Sequence, residues 1–285
     1  MDFSNFIIGI SDYNDGFEAV RDFKPFSIFL TSSFRNKDLR EIKEFIRDLK
    51  KFSGYDLKFS TDQEGGYASW ILDGYPSPMR WAQKSFKEFE RSCKEMARKL
   101  KNIGIDINFA PCVDICYDNE NEVICKKERS FSNSLKTVVD YSYRFYKIMK
   151  ENGIECCAKH FVNQARAKDD PHKDLPISDF SLKDIIKDFL PYKVLIKEGL
   201  FYIMVGYIKY KKISEEPVIF SSYFIKELLR KRLSFRGKVI TDDLLMGGIK
   251  KFYPLSESIK LSIKAGCDLI LISDFKFLKK FLKKS

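Results

Sequence analysis

The 285-residue chain contains only two histidines, His160 and His172, and both fall in one short window. Histidine is the side chain that exchanges protons near neutral pH without assistance, its free pKa being about 6.5. His172 follows Asp170 by two residues, with Pro171 stiffening the link, and His160 follows Lys159 at the end of the run Glu155-Cys156-Cys157-Ala158. Thr241-Asp242-Asp243 closes the run Lys238-Val239-Ile240, and Thr61-Asp62-Gln63-Glu64-Gly65-Gly66 closes Leu57-Lys58-Phe59. Carboxylates and histidines are the usual nucleophiles and general acids or bases of hydrolytic chemistry. Each cluster alone reads as a helix cap or a satisfied structural histidine. Together they describe an active site built from the loops that follow strands, the arrangement of a barrel enzyme.

The elements needed to position those groups recur along the chain. Short β-branched or aromatic runs predict strands over Phe6–Ile10, Ser27–Leu30, Leu57–Thr61, Ile105–Phe109, Glu155–Phe161, Phe201–Tyr207, Lys238–Thr241 and Leu269–Ile272. Stretches with helical periodicity lie between them, at 14–23, 37–51, 83–103, 134–152, 181–198, 222–233 and 256–265, with the lysine-rich end as the eighth. Asn102-Ile103-Gly104, Asn152-Gly153 and Glu198-Gly199 each set a glycine where a helix would stop before the next strand. Near-continuous apolar strands alternating with helices predict a parallel sheet covered by helices, and eight units predict a single (β/α)8 TIM barrel over residues 1–285. The two longest loops, 110–133 and 162–180, would both lie on the active-site face.

Composition narrows the function classes. The net charge of +11 arises from basic residues spread among acids, as in Lys183-Asp184, the habit of solvated helix faces, so no nucleic-acid partner is expected. In the densest basic block the apolar residues Phe277, Leu278, Phe281 and Leu282 form one stripe, which predicts a final helix docked on its own domain. No stretch approaches the roughly 20 apolar residues that span a bilayer, and the start lacks a basic region before its apolar run. A cytoplasmic monomer is expected. Seven cysteines without an export signal predict reduced thiols, and the absence of a repeated C-x-x-C pair predicts no metal and no cofactor.

Six segments, in order and in register, resemble glycoside hydrolase family 3, and within it the NagZ-type β-N-acetylglucosaminidases. They are Asp62-Gln63-Glu64-Gly65-Gly66, Asn108-Phe109-Ala110-Pro111-Cys112-Val113-Asp114, Arg129-Ser130-Phe131, Ala158-Lys159-His160-Phe161, Asp170-Pro171-His172 and Val239-Ile240-Thr241-Asp242-Asp243. The resemblance implies Asp242 as nucleophile, His172 as general acid/base with Asp170 as its partner, and Asp62, Arg129, Lys159 and His160 as sugar-binding residues. Asp243 is then structural or a cap for the following helix. The implied substrate is a GlcNAc-containing muropeptide fragment, GlcNAc-1,6-anhydroMurNAc, met in cell-wall recycling. The rival readings are another family 3 specificity, such as β-glucosidase, and a barrel that binds sugar without cleaving it.

The chain departs from that pattern in three places. Val162-Asn163-Gln164-Ala165 stands for Pro-Gly-His-Gly, removing glycines that permit unusual backbone angles. Tyr67 and Trp70 stand for two arginines, and Gly206-Tyr207 for Ala-His. These changes are expected to alter the loop and the pocket rim, with Trp70 stacking on a sugar face and any cation for a charged substrate supplied from elsewhere.

Overall fold

A computed structural model describes residues 2–118, 120–168 and 174–283. Eight strands carry the architecture: β1 Phe6–Ile10, β2 Ser27–Leu30, β3 Lys58–Thr61, β4 Ile107–Asn108, β5 Glu155–Phe161, β6 Tyr202–Val205, β7 Lys238–Thr241 and β8 Ile270–Ile272. They form one sheet in the order β7-β6-β5-β4-β3-β2-β1-β8, every neighbouring pair parallel. The sheet closes on itself between β7 and β8 through a bridge from Ile240 to Leu269, where Thr241 N–H also donates to the Leu269 carbonyl at 3.0 Å. The result is the (β/α)8 barrel that the alternating pattern predicts, slightly irregular at its seam.

Eight principal helices form the outer layer: α1 Tyr13–Phe23, α2 Leu39–Ser53, α3 Phe86–Ile103, α4 Leu135–Glu151, α5 Leu190–Lys197, α6 Tyr223–Arg232, α7 Leu255–Ala265 and α8 Phe275–Leu282. The sequence explains their ends. Ser85 and Glu88 form a reciprocal capping box that starts α3, and Gly104 stops it at φ 98°, a left-handed angle that costs a glycine little. The predicted helix over 181–198 is instead broken into Leu182–Ile185, a tighter turn over Ile186–Phe189, and α5. Pro191, which has no N–H to offer an upstream turn, fits only the start of α5. α8 docks as expected: Phe275 and Leu278 are buried, while Lys276 pairs with Asp12 at 2.8 Å and Lys279 with Glu18, both acids flanking or within α1.

Side-chain alternation along the strands sets the polarity of the interior. Ile7, Phe29, Ile107, Cys157, Met204, Ile240 and Leu271 fill the barrel. Because strand side chains repeat every two residues, Lys159, Asp242 and Ser273 continue the inward rows of Cys157, Ile240 and Leu271 at the carboxyl end of the barrel.

One sequence expectation fails here. Cys116 and Cys125 form a disulfide, with Cα atoms 5.6 Å apart on the loop after β4, whereas Cys93, Cys112, Cys156, Cys157 and Cys267 are free and buried. Counting cysteines could not reveal this, because the pairing depends on a local fold of one loop that brings two residues into bridging range. No helix among the described residues is long and apolar enough to cross a membrane.

Candidate active site

At the carboxyl ends of the strands lies a cavity of about 650 Å³. Its wall includes Asp62, Trp70, Arg129, Lys159, His160 and Asp242, so six of the eight predicted site residues meet in one place. The other two, Asp170 and His172, lie outside the described residues.

The floor is a buried network of four charges. Lys159 Nζ pairs with Asp62 Oδ1 and, at 2.7 Å, with Glu64 Oε1. Arg129 lays its fork on the same Glu64 through Nε at 3.0 Å and a terminal nitrogen at 2.8 Å. Lys159 is 2% exposed and Glu64 1%. Burial pushes the Glu64 carboxyl up, but Arg129 and Lys159 outweigh it and hold it at about 2. Burial disfavours the charged Lys159, yet Asp62 and Glu64 prevail and keep its ammonium protonated well beyond the ordinary range. Burial raises the Asp62 carboxyl against the pull of Lys159, and the convergence of two cations on two acids is what keeps such groups out of water. Glu64 is a part of this network to which the sequence motif assigns no role. The signal was present in the spacing, since Asp62 and Glu64, two apart beyond a strand, share one direction.

A second unit orients His160. Its Nδ1 lies 2.7 Å from Asp114 Oδ2, while the backbone N–H groups of His160 and Gln164 donate to Asp114 Oδ1 at 3.2 and 3.0 Å. The Cys112 thiol donates to Asp114 Oδ2 at 3.5 Å. Cys112, Asp114 and His160 are zinc-ligand types whose donor atoms lie within 4.8 Å of one another. Both Asp114 oxygens are taken by these four hydrogen bonds, so the cluster works as a clamp on the imidazole.

Asp242 and Asp243 differ sharply. Asp242 lines the cavity; its Oδ1 accepts the Asp243 N–H at 2.8 Å, and no lysine or arginine among the described residues pairs with it. The Asp243 carboxylate instead accepts the Ser273 hydroxyl at 2.5 Å, the Ser273 N–H at 2.9 Å and the Leu245 N–H at 3.2 Å, tying the end of β7 to the end of β8. Burial raises its pKa to about 6 against those hydrogen bonds.

The altered positions resolve individually. Asn163 holds φ at 46°, so it supplies the left-handed angle that the missing glycine would have supplied, as asparagine does more readily than most residues. Its side chain accepts the Ile115 N–H at 3.0 Å and donates to Asp188 at 2.9 Å, which anchors the first residues after β5. Tyr67 is a rim residue, 56% exposed, with Lys127 Nζ 4.7 Å above its ring. Trp70 packs on Phe29 at 5.2 Å between ring centres and gives its remaining surface to the cavity. Tyr207 is not at the rim, contrary to expectation. It is fully buried, with its hydroxyl donating to the Asp243 carbonyl, because a phenol is long enough to reach β7 from β6. Arg35 also lines the cavity, donating to the carbonyls of Ser69 and Tyr67 at 2.6 and 2.9 Å, with Asp73 3.7 Å from its Nε.

The network yields a pH prediction. A carboxyl whose folded pKa lies below its free value of about 4.3 adds stability that is complete above that value and is lost as pH falls to about 2. Glu64→Gln should therefore flatten the acid limb of the stability profile between those values. At pH 7 it should cost about 3–5 kcal/mol in urea unfolding, because two buried cations lose a partner. Wild-type stability at pH 7 would show that the network is not what holds the floor.

Comparisons with known proteins agree on one family. The model of the glycosyl hydrolase family 3 N-terminal domain matches residues 18–284. A β-hexosaminidase of Psychromonas ingrahamii is 32% identical over 246 residues, covering 82% of this chain and 71% of that protein. One of Haemophilus influenzae is 31% identical over 258 residues, covering 86% and 71%. Among solved structures, a family 3 β-N-acetylglucosaminidase of Paenibacillus superposes with a TM-score of 0.91 at 24% identity, over 99% of this chain and 56% of that one. NagZ of Neisseria gonorrhoeae, in complex with N-trifluoroacetyl-D-glucosamine, superposes with a TM-score of 0.85 at 24% identity, over 100% and 85%.

Proposed function

The chain belongs to glycosyl hydrolase family 3, and from that premise we propose that it is a retaining β-N-acetylhexosaminidase with Asp242 as its nucleophile. The observation that carries the reading is the division of labour between two neighbouring acids. Asp243 spends its oxygens on Ser273 and Leu245, while Asp242 faces the cavity with one local N–H donor and no paired cation among the described residues. A carboxylate so left is free to attack.

In the first step an Asp242 oxygen bonds to the anomeric carbon as the bond from that carbon to the aglycone oxygen breaks. His172 gives its proton to the departing oxygen, with Asp170 supporting the imidazolium. In the second step His172 takes a proton from water, the water oxygen bonds to the anomeric carbon, and Asp242 leaves as carboxylate. Asp62, Lys159 and His160 hold the sugar's hydroxyls, with Arg129 bracing Glu64 behind them. Trp70 offers an apolar face at the edge, where Arg35 supplies positive charge for an acidic aglycone. The substrate named by this reading is a terminal GlcNAc on a muropeptide-derived fragment such as GlcNAc-1,6-anhydroMurNAc. The N-acylglucosamine held by Neisseria NagZ and the names of the β-hexosaminidase relatives support the hexosamine over glucose. The setting is cell-wall recycling in the cytoplasm, where the Cys116–Cys125 pair would face reducing conditions.

Asp242→Asn should lower kcat on a nitrophenyl GlcNAc β-glycoside by at least ~10³ with the fold intact by circular dichroism, whereas Asp243→Asn should cost mainly stability. Greater catalytic sensitivity at Asp243 would transfer the role to that residue.

An acidic nitrophenolate leaves without protonation, and a sugar alcohol does not. His172→Ala should consequently damage hydrolysis of a GlcNAc disaccharide far more than that of the nitrophenyl glycoside. Equal losses on both would mark His172 as structural.

A further inference from the structure

Gln164 occupies a part of the cavity wall that the reaction above leaves without a task. It opens the short turn Gln164–Arg166 directly after β5, and it is 2% exposed. Its backbone is held at both ends: the N–H donates to Asp114 Oδ1 at 3.0 Å, and the carbonyl accepts from Asn121 Nδ2 at 3.3 Å. Its side-chain Oε1 accepts the Tyr207 N–H at 3.3 Å. That donor settles which end of the carboxamide points which way, because an N–H facing an N–H would repel. Nε2 finds no acceptor among the described residues and opens on the cavity.

The neighbouring strand end is cut to fit this amide. A Cβ added to Gly206 would stand 2.4 Å from Gln164 Oε1 and 3.1 Å from the Cβ of His160, so only glycine leaves the carboxamide its seat. Gly206 and Tyr207 follow Val205, whose carbonyl accepts the Asp242 N–H, so the seat lies on the strand next to the one that ends at Asp242, and Gln164 and Asp242 line the same cavity. Gln164 therefore presents a neutral N–H pair to the cavity from the loop after β5, held by the Tyr207 N–H beyond β6. The charged network of Asp62, Glu64, Lys159 and Arg129 lies on the β3 to β5 side.

We propose that Gln164 determines specificity at the sugar's C2 position, its Nε2 donating to the carbonyl oxygen of a 2-acetamido group. This rests on the glycosidase reading. With the anomeric carbon against Asp242, the adjoining C2 substituent is the sugar group nearest a donor seated at the end of the neighbouring strand. An amide carbonyl only accepts, whereas a hydroxyl both donates and accepts, so a fixed donor without an acceptor favours the acetamido group. Gly206 is the positioning residue that makes room for it.

The test compares nitrophenyl β-glycosides of GlcNAc and of glucose on wild type, Gln164→Leu, Gly206→Ala and the double variant. The deciding variant is Gln164→Leu, for which the expected result is a fall of about tenfold in kcat/KM for the GlcNAc substrate, the scale of one lost hydrogen bond, with a much smaller change for the glucoside; Gly206→Ala, whose Cβ also meets His160, should lose at least as much on GlcNAc. The double variant should lose no more than the worse single one, since both changes remove the same contact. Equal losses on both glycosides, or no loss on either, would overturn the assignment and leave Gln164 a packing residue. Should wild type cleave neither glycoside, the glycosidase reading fails by itself, and calorimetric binding of free GlcNAc and glucose decides the role of Gln164. A preference for GlcNAc that Gln164→Leu abolishes sustains it; no preference, or one the variant retains, overturns it.

Discussion

Lys159 is almost fully buried at the bottom of the barrel mouth, and the surrounding architecture follows from the need to neutralise it. An unpaired buried ammonium would cost several kcal/mol, so two carboxylates must converge on it, and the second of these must itself be braced by Arg129. Asp62 and Glu64 arrive from the end of β3, Arg129 from the loop after β4, and Lys159 from β5. The network therefore fixes the relative height of three consecutive strand ends. The loop that delivers Arg129 is long, and it is held by the Cys116–Cys125 disulfide and by Ser130 Oγ donating to the Asp114 carbonyl at 2.7 Å within it, and by Asn121 Nδ2 reaching the Ala167 carbonyl of the loop after β5 at 2.6 Å.

Asp114 extends the same logic to the next strand end. A single buried carboxylate accepts from His160 twice, from Gln164 and from Cys112, and so couples the end of β5 to the loop after β4. The imidazole is thereby oriented by the scaffold before any ligand arrives, a form of preorganisation that reduces the entropy cost of binding.

The strands and most helices were legible in the sequence because the apolar period changes between two and 3.6 and because glycines stand at the helix ends, as at Gly104. The strand ends that meet at the cavity were legible for the same reason: a carboxylate or lysine that interrupts an apolar run stands out. What escaped was long-range or conformational. Pairing of Cys116 with Cys125 depends on how one loop folds. The burial of Tyr207 depends on the distance from β6 to the Asp243 carbonyl across the sheet. Asn163, just after β5, adopts a left-handed angle, which residue type permits without announcing. Gln164 and Gly206 were noted only as separate departures, and their complementarity appears when a missing Cβ is set against a particular amide.

The central claim is that Asp242 attacks the sugar and is displaced by water, two inversions that together retain configuration. Proton NMR of the first turnover of a GlcNAc β-glycoside reads this directly, before the free sugar mutarotates. The account predicts that the β-anomer of GlcNAc appears first and converts slowly to the equilibrium mixture. First appearance of the α-anomer would mean a single displacement by water and would contradict it.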